Sequence, residues 1–190
     1  MFTGIVENLG SVLEKKSEKK GLRLLIGSTL PAKIFKKGTS ILVNGACLTV
    51  EKYDRRRRAF WVFLVPETLA RTVFKSVKLG DKLNLESSLT LQKPLAGHLV
   101  LGHVDFVAKV SEPGPELELE LPGAKLKYFP EKASITVNGV SLTIVRRKKT
   151  SIEVALIPET MRVTNLSALK KGDPVHIEID VLARYLESLL

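Results

Sequence analysis

The sequence has little cysteine, histidine or aromatic content, and each shortage excludes a class of protein. Among 190 residues there is one cysteine, Cys47, and there are three histidines. A single thiol excludes an internal disulfide framework and a cysteine-rich zinc site, and the histidines at 98, 103 and 176 are poorly spaced for a metal cluster. Aromatic residues make up 6% of the chain and are not interleaved with its basic runs, so a stacking platform for single-stranded nucleic acid is not evident.

The chain also lacks long apolar runs. A transmembrane helix needs roughly 18 consecutive apolar residues, and no run approaches that length. The opening MFTGIVENLG has neither a positively charged start nor a long apolar stretch, so no secretion signal is readable. We therefore expect a cytoplasmic protein with no membrane partner. At 44% hydrophobic and 26% charged residues, the chain is expected to bury a sizeable core.

The net charge of +10 raises the question of a polyanionic partner. Residues 1–95 carry 18 lysines and arginines against 8 aspartates and glutamates, whereas residues 96–190 carry 12 of each. Much of the excess lies in two runs, at 15–20 and at 55–58. Because charge runs are usually solvated, we interpret both as solvent-exposed loops, and nucleic-acid binding is the less favoured alternative.

Short apolar segments with a period of two predict an all-β protein. The segment ELELEL at 116–121 alternates strictly, which predicts a strand with one face in solvent. The predicted strands are 22–26, 40–50, 59–65, 82–86, 99–110, 116–121, 134–145, 151–157 and 175–180.

The clearest predicted helix lies at the C-terminal end of the sequence. Its apolar residues form one stripe at helical spacing: Val181, Leu182, Tyr185, Leu186, Leu189 and Leu190. The stripe could pack on the core of its own chain or on another subunit, and the sequence leaves both open.

The most informative feature is an internal repeat. The segment NGACLTV at 44–50 reappears as NGVSLTI at 138–144, and VPET at 65–68 reappears as IPET at 157–160. TGIVE at 3–7 likewise aligns with LGHVD at 101–105. We therefore predict two copies of one fold, in domains 1–97 and 98–190. Each copy has five or six short strands and a brief helix led by Pro-Glu-Thr, a content that suits a small closed barrel.

Residues that are the same in both copies are expected to maintain the fold. Residues that differ between the copies are candidates for a function specific to one of them. Gly45 and Gly139 are expected at turns that need a positive φ, and both Pro-Glu-Thr prolines are expected in the first turn of a helix. Cys47 aligns with Ser141, and an isoleucine at position 5 aligns with His103. One pocket would then hold a thiol and the other an imidazole, although a buried inert thiol and a structural histidine remain alternatives.

Taken together, the segments MFTGIVE, NGACLTV, GHLVLGHVD, NGVSLTI and IEIDVLARYLESLL resemble the riboflavin synthase family of the trimeric, alpha-subunit type. The resemblance covers essentially the whole chain, with the same doubling. It implies two tandem six-stranded antiparallel Greek-key barrels and a C-terminal helix through which a homotrimer assembles.

The resemblance also implies the reaction and the partners. Two molecules of 6,7-dimethyl-8-ribityllumazine would exchange a four-carbon unit to give riboflavin and 5-amino-6-(ribitylamino)uracil. The active site would lie between the N-terminal barrel of one subunit and the C-terminal barrel of a neighbour. No cofactor or metal is implied, and a shell of lumazine synthase is a candidate protein partner. Orienting two bound substrates can remove on the order of 7 to 11 kcal/mol of barrier, so heavy acid–base machinery is not required.

The residues implied by the resemblance fall into two pockets and a catalytic set. In the N-terminal barrel they are Gly4, Ile5, Val6, Cys47, Leu48 and Thr49, closed by Phe63, Leu64, Val65, Pro66, Glu67 and Thr68. In the C-terminal barrel they are Gly102, His103, Val104, Lys132, Ser141, Leu142, Thr143, Ala155, Leu156, Ile157, Pro158, Glu159 and Thr160. The catalytic candidates are His103, Cys47, Ser40, Ser141 and Asp180.

Among the catalytic candidates, His103 is assigned as the proton carrier because a neutral imidazole can accept the acidic C7-methyl proton near neutral pH. Cys47 could add to an electrophilic ring carbon or simply line the pocket. The two serines are interpreted as hydrogen-bond partners, and Asp180 is expected near the ribityl chain or the reacting centre.

Two other functions remain open at this stage. A non-catalytic antenna protein that binds lumazine or flavin would share the doubled barrels, but such relatives generally lose active-site residues, whereas Cys47, His103, Ser141 and Asp180 are all present. A nucleic-acid-binding barrel is supported only by the charge of the first half, and it predicts binding that weakens steeply with salt.

Overall fold

The computed structural model describes residues 1–189, which form two closed, six-stranded antiparallel barrels and a final helix. The first barrel contains β1 (Asn8–Glu18), β2 (Gly21–Gly27), β3 (Ser40–Val43), β4 (Ala46–Asp54), β5 (Ala59–Leu64), α1 (Pro66–Arg71) and β6 (Lys82–Ser87). The second contains β7 (Phe106–Glu112), β8 (Glu116–Glu120), β9 (Ser134–Val137), β10 (Val140–Arg147), β11 (Ser151–Ala155), α2 (Pro158–Val163) and β12 (Pro174–Ile179). The chain continues into α3 (Val181–Leu189).

The two barrels have the same strand order. The first runs β1-β2-β5-β4-β3-β6, and the second has the same order with each strand number raised by six. Register shifts also repeat, because those of the first barrel at 12–14 and 50–52 correspond to those of the second at 110–112 and 144–146. Bulges bend strands, and a closed barrel needs such bends. The doubling seen in the sequence is therefore a doubling of backbone geometry.

Each barrel closes around its own hydrophobic core. The inward-facing residues of the first include Leu24, Val62 and Leu85, and those of the second include Leu119, Ile135 and Ile177. A third, small cluster of Phe2, Leu42, Val100 and Cys47 lies between the barrels.

Two Asn-Gly turns meet where the barrels touch. Asn44 and Gly45 have φ values of 48° and 87°, and Asn138 and Gly139 have 46° and 80°, which confirms the positive φ expected at both glycines. Two consecutive residues with positive φ form the hairpin turn for which Asn-Gly is preferred. A Cβ on Gly45 would lie 2.9 Å from the Gly139 nitrogen, and a Cβ on Gly139 would lie 2.8 Å from the Gly45 nitrogen. The barrels thus pack back to back with pseudo-twofold symmetry.

A buried polar contact on each side of these turns joins the barrels. On one side the Asn84 carboxamide donates to the Asn138 carbonyl at 2.9 Å and accepts the Asn165 backbone N–H at 2.8 Å. Because both bonds run to backbone groups of the other barrel, Asn84 fixes the relative position of the two.

On the other side His176 takes the place of Asn84. Its Nδ1 lies 2.7 Å from the Asn44 carbonyl, and its Nε2 accepts the Val73 backbone N–H at 2.9 Å. A carbonyl only accepts and an N–H only donates, so the ring is the neutral tautomer with its proton on Nδ1. Burial lowers the pKa of His176 to about 4, although the bond to the Asn44 carbonyl acts in the opposite direction.

Several predicted strands have different bounds in the structure. The segments 40–50 and 134–145 are each two strands, because the Asn-Gly turn reverses the chain within them. The predicted strand 99–110 begins only at Phe106, since residues 99–105 run between the barrels. The strand β1 was not predicted, because lysines interrupt its apolar alternation.

The loop prediction is confirmed for one of the two basic runs and partly wrong for the other. The run 55–58 forms the β4–β5 turn, as predicted, although Arg57 pairs there with Glu14. The prediction of a loop at 15–20 was wrong for Lys15 and Lys16, which lie in β1. Lys15 Nζ donates to two carbonyls of the loop after α1, at 2.6 and 2.8 Å, and Lys16 lies 4.6 Å from the Trp61 ring centroid. Their aliphatic stems thus cover the barrel surface.

The three helices lie where the sequence predicted them. Proline occupies the first turn of α1 and α2, as expected. In α3, Val181 is buried, whereas Leu182, Tyr185, Leu186 and Leu189 are 61 to 82% exposed. The side chains of Leu182, Leu186 and Leu189 are therefore mostly open to solvent in the single chain, and Leu190 lies outside the described residues. Within residues 1–189 no helix is long and apolar enough to span a membrane.

Candidate functional site

The two barrels are linked by a pair of crossing segments, residues 2–5 and 100–103, which we call the wall segments. They form an antiparallel bridge in which the Phe2 N–H donates to the Val100 carbonyl at 2.8 Å and the Val100 N–H donates to the Phe2 carbonyl at 3.1 Å. Phe2 is fully buried at this crossing. It therefore acts as a core residue at the junction of the two barrels.

Each wall segment leads into its own barrel but contacts the pocket of the other. The Gly4 carbonyl accepts the Ser141 N–H at 2.8 Å, and the Gly102 carbonyl accepts the Cys47 N–H at 2.9 Å. The resemblance had grouped residues 4–6 with Cys47 and residues 102–104 with Ser141. The backbone contacts pair Gly4 with Ser141 and Gly102 with Cys47 instead. Alignment of the repeats shows which barrel a segment enters but not which barrel it contacts.

Glycine is required at both contacts. Gly4 and Gly102 have φ values of 75° and 80°. A Cβ on Gly4 would lie 2.6 Å from the Ser141 Cβ, and a Cβ on Gly102 would lie 2.6 Å from the Cys47 Cβ. Any side chain would push the wall segment off the strand, so this close approach sets the width of each pocket.

A buried glutamate holds each wall segment in place. Glu86 of β6 accepts the Thr3 N–H at 2.8 Å, the Thr3 hydroxyl at 2.7 Å and the Gly4 N–H at 2.9 Å. Lys93 adds an ion pair to the same carboxylate at 3.0 Å. The carboxylate is thus fully bonded although it is 1% exposed.

The corresponding glutamate of the second barrel is Glu178. It accepts the backbone N–H groups of Leu101 at 2.7 Å, Gly102 at 2.9 Å and His103 at 3.2 Å. Burial raises the pKa of Glu178 to about 7; the backbone bonds act in the opposite direction, and Asp105 adds a smaller repulsion. The residue that the sequence analysis passed over therefore fixes the segment that carries His103.

A cavity of about 410 Å³ opens beside Cys47, and we call it the first pocket. It is lined by Ala46, Cys47, Glu67, Thr68, Arg71, Thr72, Gly102, His103, Val104, Asp105 and Arg184. Six of these were predicted site residues: Cys47, Glu67, Thr68, Gly102, His103 and Val104. The thiol and the imidazole therefore share one pocket, whereas the sequence analysis placed them in different ones.

The charged groups of the first pocket form ion pairs. Glu67 accepts from Arg71 at 2.8 Å, and Asp105 accepts from Arg184 at 2.8 Å. His103 is exposed on the pocket wall. With the carboxylates paired, the imidazole of His103 is the group best suited to accept and return a proton.

The second pocket is the region around Ser141, and its most notable residue is His98. The His98 Nδ1 lies 2.6 Å from the Ser141 Oγ, and its Nε2 lies 3.1 Å from the Thr136 Oγ1. Burial lowers the pKa of His98, and the charge of Asp180 acts in the opposite direction. A neutral imidazole bridging two hydroxyls can relay a proton between them.

Some predicted site residues have their side chains in the barrel cores. Leu48 and Leu64 belong to the first core, and Leu142 and Leu156 belong to the second. They can reach a ligand only through their backbone groups.

Other predicted residues lie on strand surfaces and turns. Ser40 faces Thr49 across β3 and β4, and Ser134 faces Thr143 at the matching place in the second barrel. Phe63 packs against Arg23, with the guanidinium carbon 5.5 Å from the ring centroid. The predicted residues Ser40, Thr49, Thr143 and Phe63 do not line the first pocket.

The remaining predictions concern the second barrel and the entrance to α3. Lys132 is exposed in the turn before β9 with a φ of 69°. Asp180 Oδ1 accepts the Leu182 N–H at 2.9 Å, which is the geometry of a helix N-cap. The segment 155–160 leads into α2, where Glu159 pairs with Arg162 at 2.6 Å. Asp180 thus has a structural role in addition to its proximity to His98.

Sequence reasoning missed Ala46, Arg71, Thr72, Asp105 and Arg184 in the first pocket and His98 and Thr136 around Ser141. Asp105 could have been found, since it ends the repeated motif LGHVD. Arg184 could not, because it reaches the first pocket from α3, a helix that has no counterpart in the first repeat.

Comparison with known proteins agrees with this doubled site. The model of the lumazine binding domain family matches the chain twice, at residues 3–88 and 101–180. Curated riboflavin synthases from Photobacterium phosphoreum and Mycobacterium tuberculosis are 38% and 36% identical to it, over 100% of this chain and 89% and 98% of their own. The chain belongs to the riboflavin synthase family. A further family member, from Bacillus subtilis, is 33% identical over 100% of this chain and 90% of its own.

Solved structures of a related protein carry ligands. LumP in complex with 6,7-dimethyl-8-(1'-D-ribityl) lumazine superimposes with a TM-score of 0.81 at 25% identity, covering 94% of this chain and 99% of that one. LumP in complex with riboflavin gives 0.82 at 26% identity with the same coverage. Among the described residues of this family member, no group of three histidine, cysteine or carboxylate side chains could hold a metal ion.

Proposed function

We propose that this chain is a riboflavin synthase that converts two molecules of 6,7-dimethyl-8-ribityllumazine into riboflavin and 5-amino-6-(ribitylamino)uracil. One observation carries the proposal: in a single chain of the riboflavin synthase family the same barrel occurs twice, and the Cys47 strand of one barrel and the Ser141 strand of the other each contact a segment that leads into the opposite barrel. A reaction in which one compound is both donor and acceptor of a four-carbon unit needs two such sites. The two substrates supply every atom of the two products, so the transfer is balanced without an oxidant or reductant.

The catalytic work assigned to the chain is orientation and proton transfer. Holding two reactants in register can lower a barrier by on the order of 7 to 11 kcal/mol. In the first pocket His103 takes the proton from the C7-methyl group and returns it later, beside the thiol of Cys47. In the second pocket His98, Ser141 and Thr136 offer hydrogen bonds and a proton relay. Three further residues stay in the proposal: Ser40 as a hydrogen-bond partner, Lys132 as a substrate-binding residue, and Asp180 near the ribityl chain or the reacting centre.

We also propose that the chain works as a homotrimer. The support is α3, whose Leu182, Leu186 and Leu189 are exposed although apolar. Exposed apolar residues on one helix are typical of a surface that another subunit covers. The active site would then combine the N-terminal barrel of one subunit with the C-terminal barrel of the next. Light scattering on the purified protein tests this, since a mass of one chain would contradict it.

The division of the chain into domains 1–97 and 98–190, a cytoplasmic location and an association with a lumazine synthase shell belong to the same proposal. The free Cys47 is compatible with a reducing compartment. A shell would be tested by co-sedimentation with purified lumazine synthase.

The decisive experiment mixes the purified protein with 6,7-dimethyl-8-ribityllumazine alone and follows riboflavin by absorbance and fluorescence. Two substrate molecules are expected to disappear for each riboflavin formed, without added metal or nucleotide. A different ratio, or a requirement for a further reactant, would contradict the proposed reaction.

The second candidate is a protein that binds lumazine or flavin without converting it. The likeness to LumP favours this reading. It predicts that the lumazine binds, as a change in its fluorescence would report, but persists during a long incubation. Measuring whether the bound lumazine is converted to riboflavin therefore distinguishes the two candidate functions in one experiment.

A further inference from the structure

The two barrels bury one glutamate each at the same place in the last strand. Glu86 is the fifth residue of β6, and Glu178 is the fifth residue of β12. Both are almost completely buried, at 1% and 3% exposure, and both receive backbone N–H groups of a wall segment. Each carboxylate therefore holds one wall segment in place through hydrogen bonds to its backbone.

The charge around them is different. In the first barrel Lys93 lies between Glu86, at 3.0 Å, and Glu7, at 2.7 Å, and its positive charge is shared by the two carboxylates. In the second barrel Arg184 pairs with Asp105, the counterpart of Glu7, at 2.8 Å. Within residues 1–189 no lysine or arginine forms an ion pair with Glu178. Glu178 is thus held by backbone dipoles alone.

The segment that Glu178 holds carries the proposed proton carrier. The His103 side chain is exposed, and among the described residues its imidazole has no hydrogen-bond partner. Its direction is therefore set by its backbone, and that backbone is fixed by the bond from the His103 N–H to Glu178 at 3.2 Å and by the bond from the Gly102 N–H at 2.9 Å. A carboxylate accepts such bonds more strongly than a neutral carboxyl group.

We infer that Glu178 is a positioning residue for His103, and that its ionised carboxylate keeps the wall segment at 101–103 in the geometry that proton transfer in the first pocket requires. This role rests on the proposed function, because it concerns the orientation of the proton carrier. Glu86 holds the wall of the second pocket in the same manner but with its charge already compensated.

The state of Glu178 is expected to change near neutral pH. Burial raises the pKa of Glu178 to about 7, whereas the backbone bonds lower it. The titratable and charged groups around it are Asp105 before β7, His103 on the wall segment, His98 against Thr136 of the neighbouring β9, and Arg184 and Asp180 of the α3 region. Above this pKa the three N–H groups meet a carboxylate; below it they meet a neutral acid, and the wall segment is held less firmly.

The first test needs no catalysis. Backbone amide shifts of Leu101 and Gly102 are followed by NMR between about pH 5.5 and 8.5, with Thr3 and Gly4 as the internal comparison. The experiment uses His103→Gln, so that the neighbouring imidazole does not contribute. Leu101 and Gly102 are expected to shift together with a midpoint near the Glu178 pKa of about 7, and Thr3 and Gly4 are expected to stay constant. Constant shifts at Leu101 and Gly102 would overturn the inference.

The second test separates positioning from a merely structural effect. Glu178→Gln is expected to lower kcat by about 10- to 100-fold, since a misplaced catalytic group costs this much, and to change KM less. In the His103→Ala background the same substitution is expected to have almost no further effect, because nothing remains to be positioned. Equal losses in both backgrounds would overturn the role.

Glu86→Gln is the matched control. It removes the same kind of carboxylate from the other wall, so its effect on kcat is expected to be the same with or without His103. If the wild-type chain does not convert lumazine at all, the proposed function fails while the NMR titration still decides whether Glu178 holds the segment. If Glu178→Gln does not fold, the titration of His103→Gln provides the result.

Discussion

The two barrels agree where the backbone is constrained and differ where side chains face a pocket. Strand order, bulge positions and the paired Asn-Gly turns are the same in both. Three of the aligned positions that differ are Cys47 against Ser141, Ile5 against His103, and Asn84 against His176. A shared backbone with different side chains allows two similar ligands to be held while the groups available for proton transfer differ, with His103 beside one ligand and His98 beside the other.

The two barrels also hold their equivalent wall segments in place in two different ways. The wall of the second pocket is held by Glu86 with Lys93, and the wall of the first pocket by Glu178 with backbone groups only. Lys93 places a positive charge beside Glu86, whereas Glu178 has no such partner within residues 1–189, and burial raises the pKa of Glu178 to about 7. The barrel repeat is therefore symmetric in shape and asymmetric in electrostatics.

The largest expected effect comes from removing the imidazole of His103, whose aligned position in the first repeat is Ile5. His103→Ala is expected to slow single-turnover conversion of the lumazine by about 10² to 10⁴-fold, because proton transfer by a positioned base contributes this much. The side chain is exposed, so folding should be unaffected.

The matched control is Ile5→Ala, at the aligned position of the second pocket. Ile5 has no proton to transfer, so its loss is expected to raise KM more than it lowers kcat. Unchanged single-turnover rates in folded His103→Ala would remove His103 from the role and would make the two pockets chemically alike.

The next effect is on the contact between the barrels. Gly45→Ala is expected to destabilise the chain by about 3 kcal/mol, because the new Cβ meets the Gly139 nitrogen at 2.9 Å and the residue has a φ of 87°. Gly172→Ala has the same φ of 87° but open space around its Cβ, and it is expected to cost only about 1 kcal/mol. Urea unfolding measures both, and equal losses would show that the barrels separate easily at this turn.

The third effect is a pH dependence of the free energy of unfolding. It arises from His176 on one side of the contact between the barrels, and Asn84 on the other side does not titrate. The pKa of His176 is about 4 in the folded chain and near 6.5 when unfolded, so the unfolded chain binds more protons between these values. Stability is therefore lost as the pH falls from about 6.5 towards 4, by on the order of 3 kcal/mol in total.

The variant His176→Asn places a carboxamide side chain on both sides of the contact between the barrels. Its stability at neutral pH is expected to fall by less than about 2 kcal/mol, since an amide can make both bonds. Glu178 acts in the opposite direction over part of the same range, so the quantity to measure is the difference between wild type and variant in urea at about pH 7.5 and pH 5. A difference that does not change with pH would mean that His176 is not neutral in the folded chain.

Much of the fold could be predicted from the sequence. The repeat gave two barrels, the Asn-Gly motifs gave turns of positive φ at Gly45 and Gly139, and the Pro-Glu-Thr motifs gave α1 and α2. These are local features, in which a residue type determines a backbone conformation. The strand β1 was missed because Lys15 and Lys16 interrupt the apolar pattern of its sequence, although the Lys15 side chain is held by two carbonyls of the loop after α1.

The site was harder to predict because it depends on contacts across the repeat. Aligned positions show that Gly4 and Gly102 are equivalent, but only the packing shows that Gly4 meets Ser141 and Gly102 meets Cys47. His98 and Glu178 were missed as functional groups for the same reason, since their partners lie about 40 and 75 residues away in sequence. Residues whose role depends on such distant partners carry no local pattern.

The smallest expected effect tests whether the thiol distinguishes the pockets at all. Cys47→Ser makes the first pocket resemble the second, yet the contact that shapes the wall, from the Cys47 N–H to the Gly102 carbonyl at 2.9 Å, belongs to the backbone and is retained. If the thiol only lines the pocket, kcat should fall by less than about tenfold, because a buried contact of this size is worth roughly 1 kcal/mol. A loss as large as that of His103→Ala, measured in the same single-turnover assay, would instead indicate a covalent role, and a mass increase on the wild-type chain trapped by acid during turnover would identify the adduct. Ser141→Cys is the reciprocal control: it should leave the His98 ring without its hydroxyl partner at 2.6 Å, and its loss of activity should therefore exceed that of Cys47→Ser.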